Sequence, residues 1–178
     1  MHYDRLVESV RLLEGMPPAN EARLSRRVRH MALAVDRNED VAATMFLRRG
    51  VNGVPEIDVH VLELTDNGWR MLGGGSGPGG HALTPRPHLA DSDTPGKSHG
   101  SGKIARQDNW IRWAELRLVE EVALLHVDDR QLPVPAHGVA VVVWTEQAPS
   151  VMAIDSKGVP LGSVLVTRRR RRDPESAA

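Results

Sequence analysis

Cysteine is absent from the 178 residues, which excludes disulfides, thiolate nucleophiles and cysteine-ligated zinc or iron–sulfur centres together. That absence fits a reducing cytoplasm, the expected location, although a chain without thiols would also persist outside it. Aromatic residues are scarce too, with one Tyr, one Phe and four Trp. Lysine is reduced to Lys97, Lys103 and Lys157 against 20 arginines. This excess, together with heavy use of Ala, Val, Gly and Pro, fits codon bias in a GC-rich genome better than phosphate recognition. No stretch approaches the roughly 18 to 20 apolar residues needed to span a bilayer. The opening Met1-His2-Tyr3-Asp4-Arg5 lacks the basic and then apolar order of a secretory signal. No membrane partner is expected.

Formal charge balances at 23 basic and 23 acidic residues, but five of the basic ones are Arg168, Arg169, Arg170, Arg171 and Arg172. The remaining body is mildly acidic and a poor attractor of polyanions, so nucleic acid is not an expected partner of the fold. The arginine run could make salt-dependent phosphate contacts. As a terminal charge block, residues 168–178 read more simply as a disordered, solvated tail behind one domain spanning residues 1–167.

Within that domain, Leu6, Val7, Val10, Leu13 and Met16 recur at helical spacing, with Asp4 as cap and Gly15 before Pro17-Pro18 as stop. Residues 20–30 read as a helix or turn feeding a strand. From Met31 the period becomes two, and Met31, Leu33 and Val35 face Val41, Ala43, Met45 and Leu47 across a polar turn. Turn signals at Val51-Asn52-Gly53 and Asp66-Asn67-Gly68 bound a strand carrying Ile57, Val59 and Val61, followed by Trp69 to Leu72. Period two returns through Trp110, Ile111, Trp113, Leu116 and Leu118, and helix is the alternative over 113–125. Trp110 and Trp113, three apart, then differ in facing, one buried and one exposed. Val139-Ala140-Val141-Val142-Val143-Trp144 is apolar on both faces, as a strand covered on both sides would be. Val151 to Val166 closes as a hairpin about Ser156-Lys157-Gly158.

These elements predict a mainly β fold, α+β by strict count: an antiparallel two-sheet sandwich or open barrel with a short N-terminal helical segment. Residues 73–108, rich in glycine and proline and nearly devoid of large apolar side chains, read as a long, mobile central loop. Exposed edge strands would allow pairing between copies, a homodimer included.

No string carries a complete catalytic signature. Gly96-Lys97-Ser98-His99-Gly100-Ser101-Gly102-Lys103 resembles a phosphate-binding loop, but its lysine falls one position too late and Ile104 follows it. Gly74-Gly75-Ser76-Gly77 fails as a nucleophile elbow because Pro78 stands where the last glycine belongs. Two His/Asp pairs remain, Asp58 with His60 and His126 with Asp128, since residues two apart on a strand share a face. Together they are candidate metal ligands, and His126 and Asp128 with His137 resemble a two-histidine, one-carboxylate triad; polar alternation on a solvated sheet face is the simpler explanation. His81, His88 and His99 fall in the central loop and are expected to face water. No cofactor is implied. The reading that results is a non-enzymatic binding or protein-interaction module with a protein or small-molecule partner. A metal-dependent enzyme built on the His/Asp pairs and nucleic-acid binding through the arginine run are the alternatives.

Overall fold

The computed structural model describes residues 3–107 and 109–167; the arginine run lies outside them. One α-helix, α1 (Arg5–Leu13), precedes the strands β1 (His30–Asn38), β2 (Val41–Arg49), β3 (Pro55–Thr65), β4 (Gly68–Pro78), β5 (Gly96–Arg106), β6 (Asn109–Leu118), β7 (Leu124–Val127), β8 (Arg130–Pro133), β9 (Val139–Trp144), β10 (Val151–Ile154) and β11 (Pro160–Ser163). Asp4 caps α1 by accepting from the Leu6 and Val7 amides. Residues 20–30 carry bends rather than a helix. The alternative over 113–125 resolves to strand, a turn, and the start of β7.

The strands form three antiparallel sheets, ordered β1-β2-β3-β4, β5-β6-β9 and β11-β10-β7-β8. The expected pair of sheets is therefore a trio, because the short C-terminal strands assemble into a layer of their own. The three-stranded sheet lies in the middle. Ile111, Trp113, Val139, Val141 and Val143 pack on the first sheet, while Ala114, Leu116, Leu118, Ala140, Val142 and Trp144 pack on the third. That is why β9 is buried along its whole length. Trp113 is buried and Trp110 is 42% exposed, the split in facing that strand alternation predicts.

One bulge changes the alternation. The register of β1 against β2 slips between Ala32 and Ala34, so the chain beyond Leu33 turns over and Asp36, not Val35, is fully buried.

The first and middle sheets approach along two seams, β1 beside β9 and β4 beside β5, without ladder hydrogen bonds joining them. Side chains close the seams instead. Asp36 Oδ2 accepts from the Val143 amide at 2.8 Å and meets Arg130 at 3.1 Å. Arg106 reaches from β5 to Glu63 Oε2 at 3.0 Å and to Asp40, and Arg70 holds the other Glu63 oxygen at 2.9 Å.

The central segment 73–108 is not a loop. Its first part completes β4, whose glycines pair with Ile57 to Val61 of β3, and its last part forms β5 against β6. Ladder bonds come from the main chain, which glycine supplies as fully as any residue, so a reading based on apolar side chains misses both strands. The connection between them, residues 79–95, is held by polar staples. Arg86 donates to the carbonyls of Leu118, Val119 and Val122, and Arg117 to those of Thr84 and His137. Two 3₁₀ turns, Gly80–Leu83 and Leu89–Asp91, complete it.

Leu116 is fully buried between the middle and third sheets, whereas Val51 is fully exposed at a hairpin tip. Leu116→Ala is expected to lower unfolding free energy by about 2–5 kcal/mol and Val51→Ala by less than about 0.5 kcal/mol, as read from urea denaturation. Equal losses would contradict the three-layer packing.

Candidate functional site

The two His/Asp pairs occupy different layers. Asp58 and His60 project from β3 on the outer face of the first sheet, while His126 lies on β7 of the third sheet and Asp128 in the turn after it. The middle sheet stands between them. Asp58 pairs with Arg48 at 2.5 Å. Asp128 Oδ1 accepts from the Ser150 amide at 2.9 Å. His60 stacks on Phe46, with its Nδ1 3.1 Å from Ser9 Oγ and its Nε2 3.5 Å from Tyr3 Oη. Ser9 Oγ is also 2.7 Å from Thr44 Oγ1, so the cluster fastens α1 to the sheet. Burial lowers His60 to a pKa of about 4, against the opposing pull of Asp58, and raises the Tyr3 phenol.

His137 is a second buried imidazole. The Val139 amide donates to its Nδ1 at 3.1 Å, which leaves Nε2 to donate to the Ala19 carbonyl at 3.0 Å. This bond pins the segment before β1 against the start of β9. Burial again dominates and lowers its pKa to about 4. Both histidines are structural.

The strongest concentration of unspent polar chemistry lies at the β4/β5 seam. The strands converge where Gly73 meets Ile104, so closely that a Cβ on Gly73 would stand 2.6 Å from Ile104 Cδ1. Away from that point they enclose a cleft of about 250 Å³, walled by Gly75, Ser76 and Gly77 of β4 and by His99, Gly100 and Ser101 of β5. Ile57, Val59, Trp113 and Glu115 also line it. Glycine makes the space. A Cβ at Gly102 would fall 2.1 Å from Trp113 Cζ2, so the indole packs directly on bare backbone there.

Register places the imidazoles. Ser98 faces Leu116 and Gly100 faces Glu115, leaving His99 as the extra residue of a β-bulge, a device that re-aims a side chain. Its ring stacks on His81 at 4.4 Å and 17°. His81, from the first 3₁₀ turn, brings Nε2 to 2.6 Å from Glu115 Oε1. Neither of these buried atoms has an aligned hydrogen-bond partner. Burial and the neighbouring His81 lower the His99 pKa, with Glu115 acting the other way. Among the described residues, no group of three or more His, Asp or Glu has the geometry to hold a metal ion.

Glu115 is singular among the buried carboxylates. Asp36, Asp58 and Glu63 each pair with a guanidinium, whereas Glu115 meets only an imidazole and opens on a cavity. Sequence reasoning missed all three residues of this group. One signal was present: alternation through β6 puts Glu115 in phase with Ile111 and Trp113, an acid at an inward position. His81, expected to face water, is half-buried in the cleft because its segment is a turn packed on the sheet, whereas His99 stays exposed as expected, at the cleft's rim. No membrane-length apolar helix occurs among the described residues. The chain matches no protein-family model, no curated protein and no solved structure.

Stability should report the buried histidines. Their folded values near 4 stand below the ordinary 6.5, so between those limits the unfolded chain binds more protons and stability falls as pH falls. Each contributes a slope of about 1.4 kcal/mol per pH unit. Asp36, raised from 3.8 to about 6 chiefly by burial, has the opposite sign: its contribution is complete below 3.8 and is lost as pH rises through about 6. His60→Gln is therefore expected to flatten the acid limb between pH 6 and 4 by about 1.4 kcal/mol per unit, measured from urea midpoints. An unchanged slope would contradict a neutral His60.

Proposed function

We propose that the chain is a non-enzymatic binding module whose ligand enters the cleft between β4 and β5. The observation that carries this reading is Glu115, a buried carboxylate that lines a cavity and is met among the described residues only by the His81 imidazole, on Oε1. Buried polar groups are satisfied in stable proteins, and an exception of this kind marks a place where something else supplies the partner. The surroundings favour recognition. Ser76, Ser101 and Trp113 line the same cavity, and the glycine strands leave main-chain groups accessible.

The serine–imidazole contact between Ser9 and His60 is sealed beneath α1, where Ser9 has no exposed surface. Its geometry serves attachment of the helix rather than attack on a substrate. The rival metal reading would need Asp58 and His60 to reach His126 and Asp128 across the middle sheet.

Amide-resolved NMR titration with a library of small fragments tests the proposal. Perturbations are expected to cluster at residues 75–77, 99–101 and 113–115, and Glu115→Gln to weaken the best fragment by at least about tenfold, the loss of one charge-assisted hydrogen bond. Perturbations confined to other surfaces, or affinity indifferent to Glu115→Gln, would overturn it.

A further inference from the structure

We infer that the group received by the β4/β5 cleft is an organic cation bearing N–H donors, a guanidinium or a primary ammonium, seated on the carboxylate of Glu115. The inference rests on the binding reading above and names its ligand class. The molecule itself sets the pattern: among the described residues the three other buried carboxylates, Asp36, Asp58 and Glu63, are all matched to guanidinium groups, and the fourth lines a cavity with only the His81 imidazole against it.

One oxygen of Glu115 is disposed for this role, the other being covered by His81. Oε1 lies beside His81 Nε2 without an aligned hydrogen bond. Oε2 lies under Gly100, where a Cβ would come within 3.1 Å of it; glycine at that position keeps the second oxygen open. A guanidinium or ammonium N–H can donate to that open oxygen, and the Trp113 indole that also lines the cleft suits the face of a guanidinium. An anion would meet the carboxylate head on.

The neighbouring positive charges are directed elsewhere. Arg117, two residues along β6, spends its guanidinium on the Thr84 and His137 carbonyls. Lys97 is exposed on β5 and does not line the cavity. His99, held below its ordinary pKa, is uncharged at neutral pH.

The cation could arrive as a free small molecule or as an arginine or lysine side chain of an extended peptide. Both cleft walls are edge strands, β4 pairing only with β3 and β5 only with β6, so a peptide would also find main-chain partners.

Titration calorimetry and NMR on the full chain at pH 7.5 and low salt separate the outcomes. The probes are agmatine, N-acetyl-arginine methylamide, its uncharged citrulline analogue, the capped pentapeptide Ala-Ala-Arg-Ala-Ala, and two controls, a neutral polyol and inorganic phosphate. The arginine probe is expected to shift residues 99–101 and 115 and to bind at least about tenfold better than the citrulline analogue, with affinity falling as salt rises. Glu115→Gln should erase that preference. Gly100→Val, which closes over Oε2 without touching the charge, should weaken the arginine probe as well and serves if Glu115→Gln fails to fold. A pentapeptide that binds more tightly than the capped amino acid identifies a peptide source; equal affinities identify a free small molecule. Citrulline binding as well as arginine, or the polyol alone shifting the cleft, would overturn the cation inference and leave the binding module standing. Silence from every probe would sink both.

Discussion

Burial of one sheet on both faces is the constraint from which the rest of the molecule follows. The run Val139–Trp144 can be apolar at every position only if neither side of its strand meets water. The first and third sheets supply those two covers. Each buried Val, Leu or Ile side chain of the middle layer contributes about 1.5–3 kcal/mol relative to exposure. The α1 helix adds a further cover on the far side of the first sheet, which explains why Ala42, Thr44 and Phe46 of β2 are as buried as the residues facing the interior.

Stacking sheets in this way leaves edges, and edges leave unpaired main chain. Here the two seams are bridged by ionised side chains rather than by ladders. Asp36 replaces a strand partner for Val143, and its carboxyl resists ionisation because burial outweighs the help of Arg130. The Arg106, Asp40, Glu63 and Arg70 network lies nearer to solvent and closes one end of the other seam. Beyond it the strands diverge, and the cleft is what remains.

Much of this was legible from residue order. Period two located β1, β2, β3 and β6, the helix cap at Asp4 fell where expected, and the doubly apolar run of β9 announced a strand covered on both sides. The β10–β11 hairpin was legible as well, but its union with β7 and β8 into a third sheet was not, because strands of four residues each are too short for alternation to show which sheet they join. The glycine strands were hidden for a different reason: their stabilisation lies in main-chain hydrogen bonds and in arginines donating to carbonyls from far along the chain. Neither leaves a trace in side-chain hydropathy. The same blindness concealed the cleft, since it is built from missing side chains. Asp58, His60, His126 and Asp128 stood out by residue type alone, and the fold assigns the first two to ion pairing and helix attachment.

Arg86 ties residues 79–95 to carbonyls at the end of β6 and in the turn toward β7, and Arg117 of β6 gathers the carbonyls of Thr84 in that connection and of His137 just before β9. Because those carbonyls belong to separate stretches, the connection cannot loosen by fraying at one point. It must release as a cooperative unit together with the close of β6. His81 rides on that unit, so its contact with Glu115 lasts only as long as the staples hold.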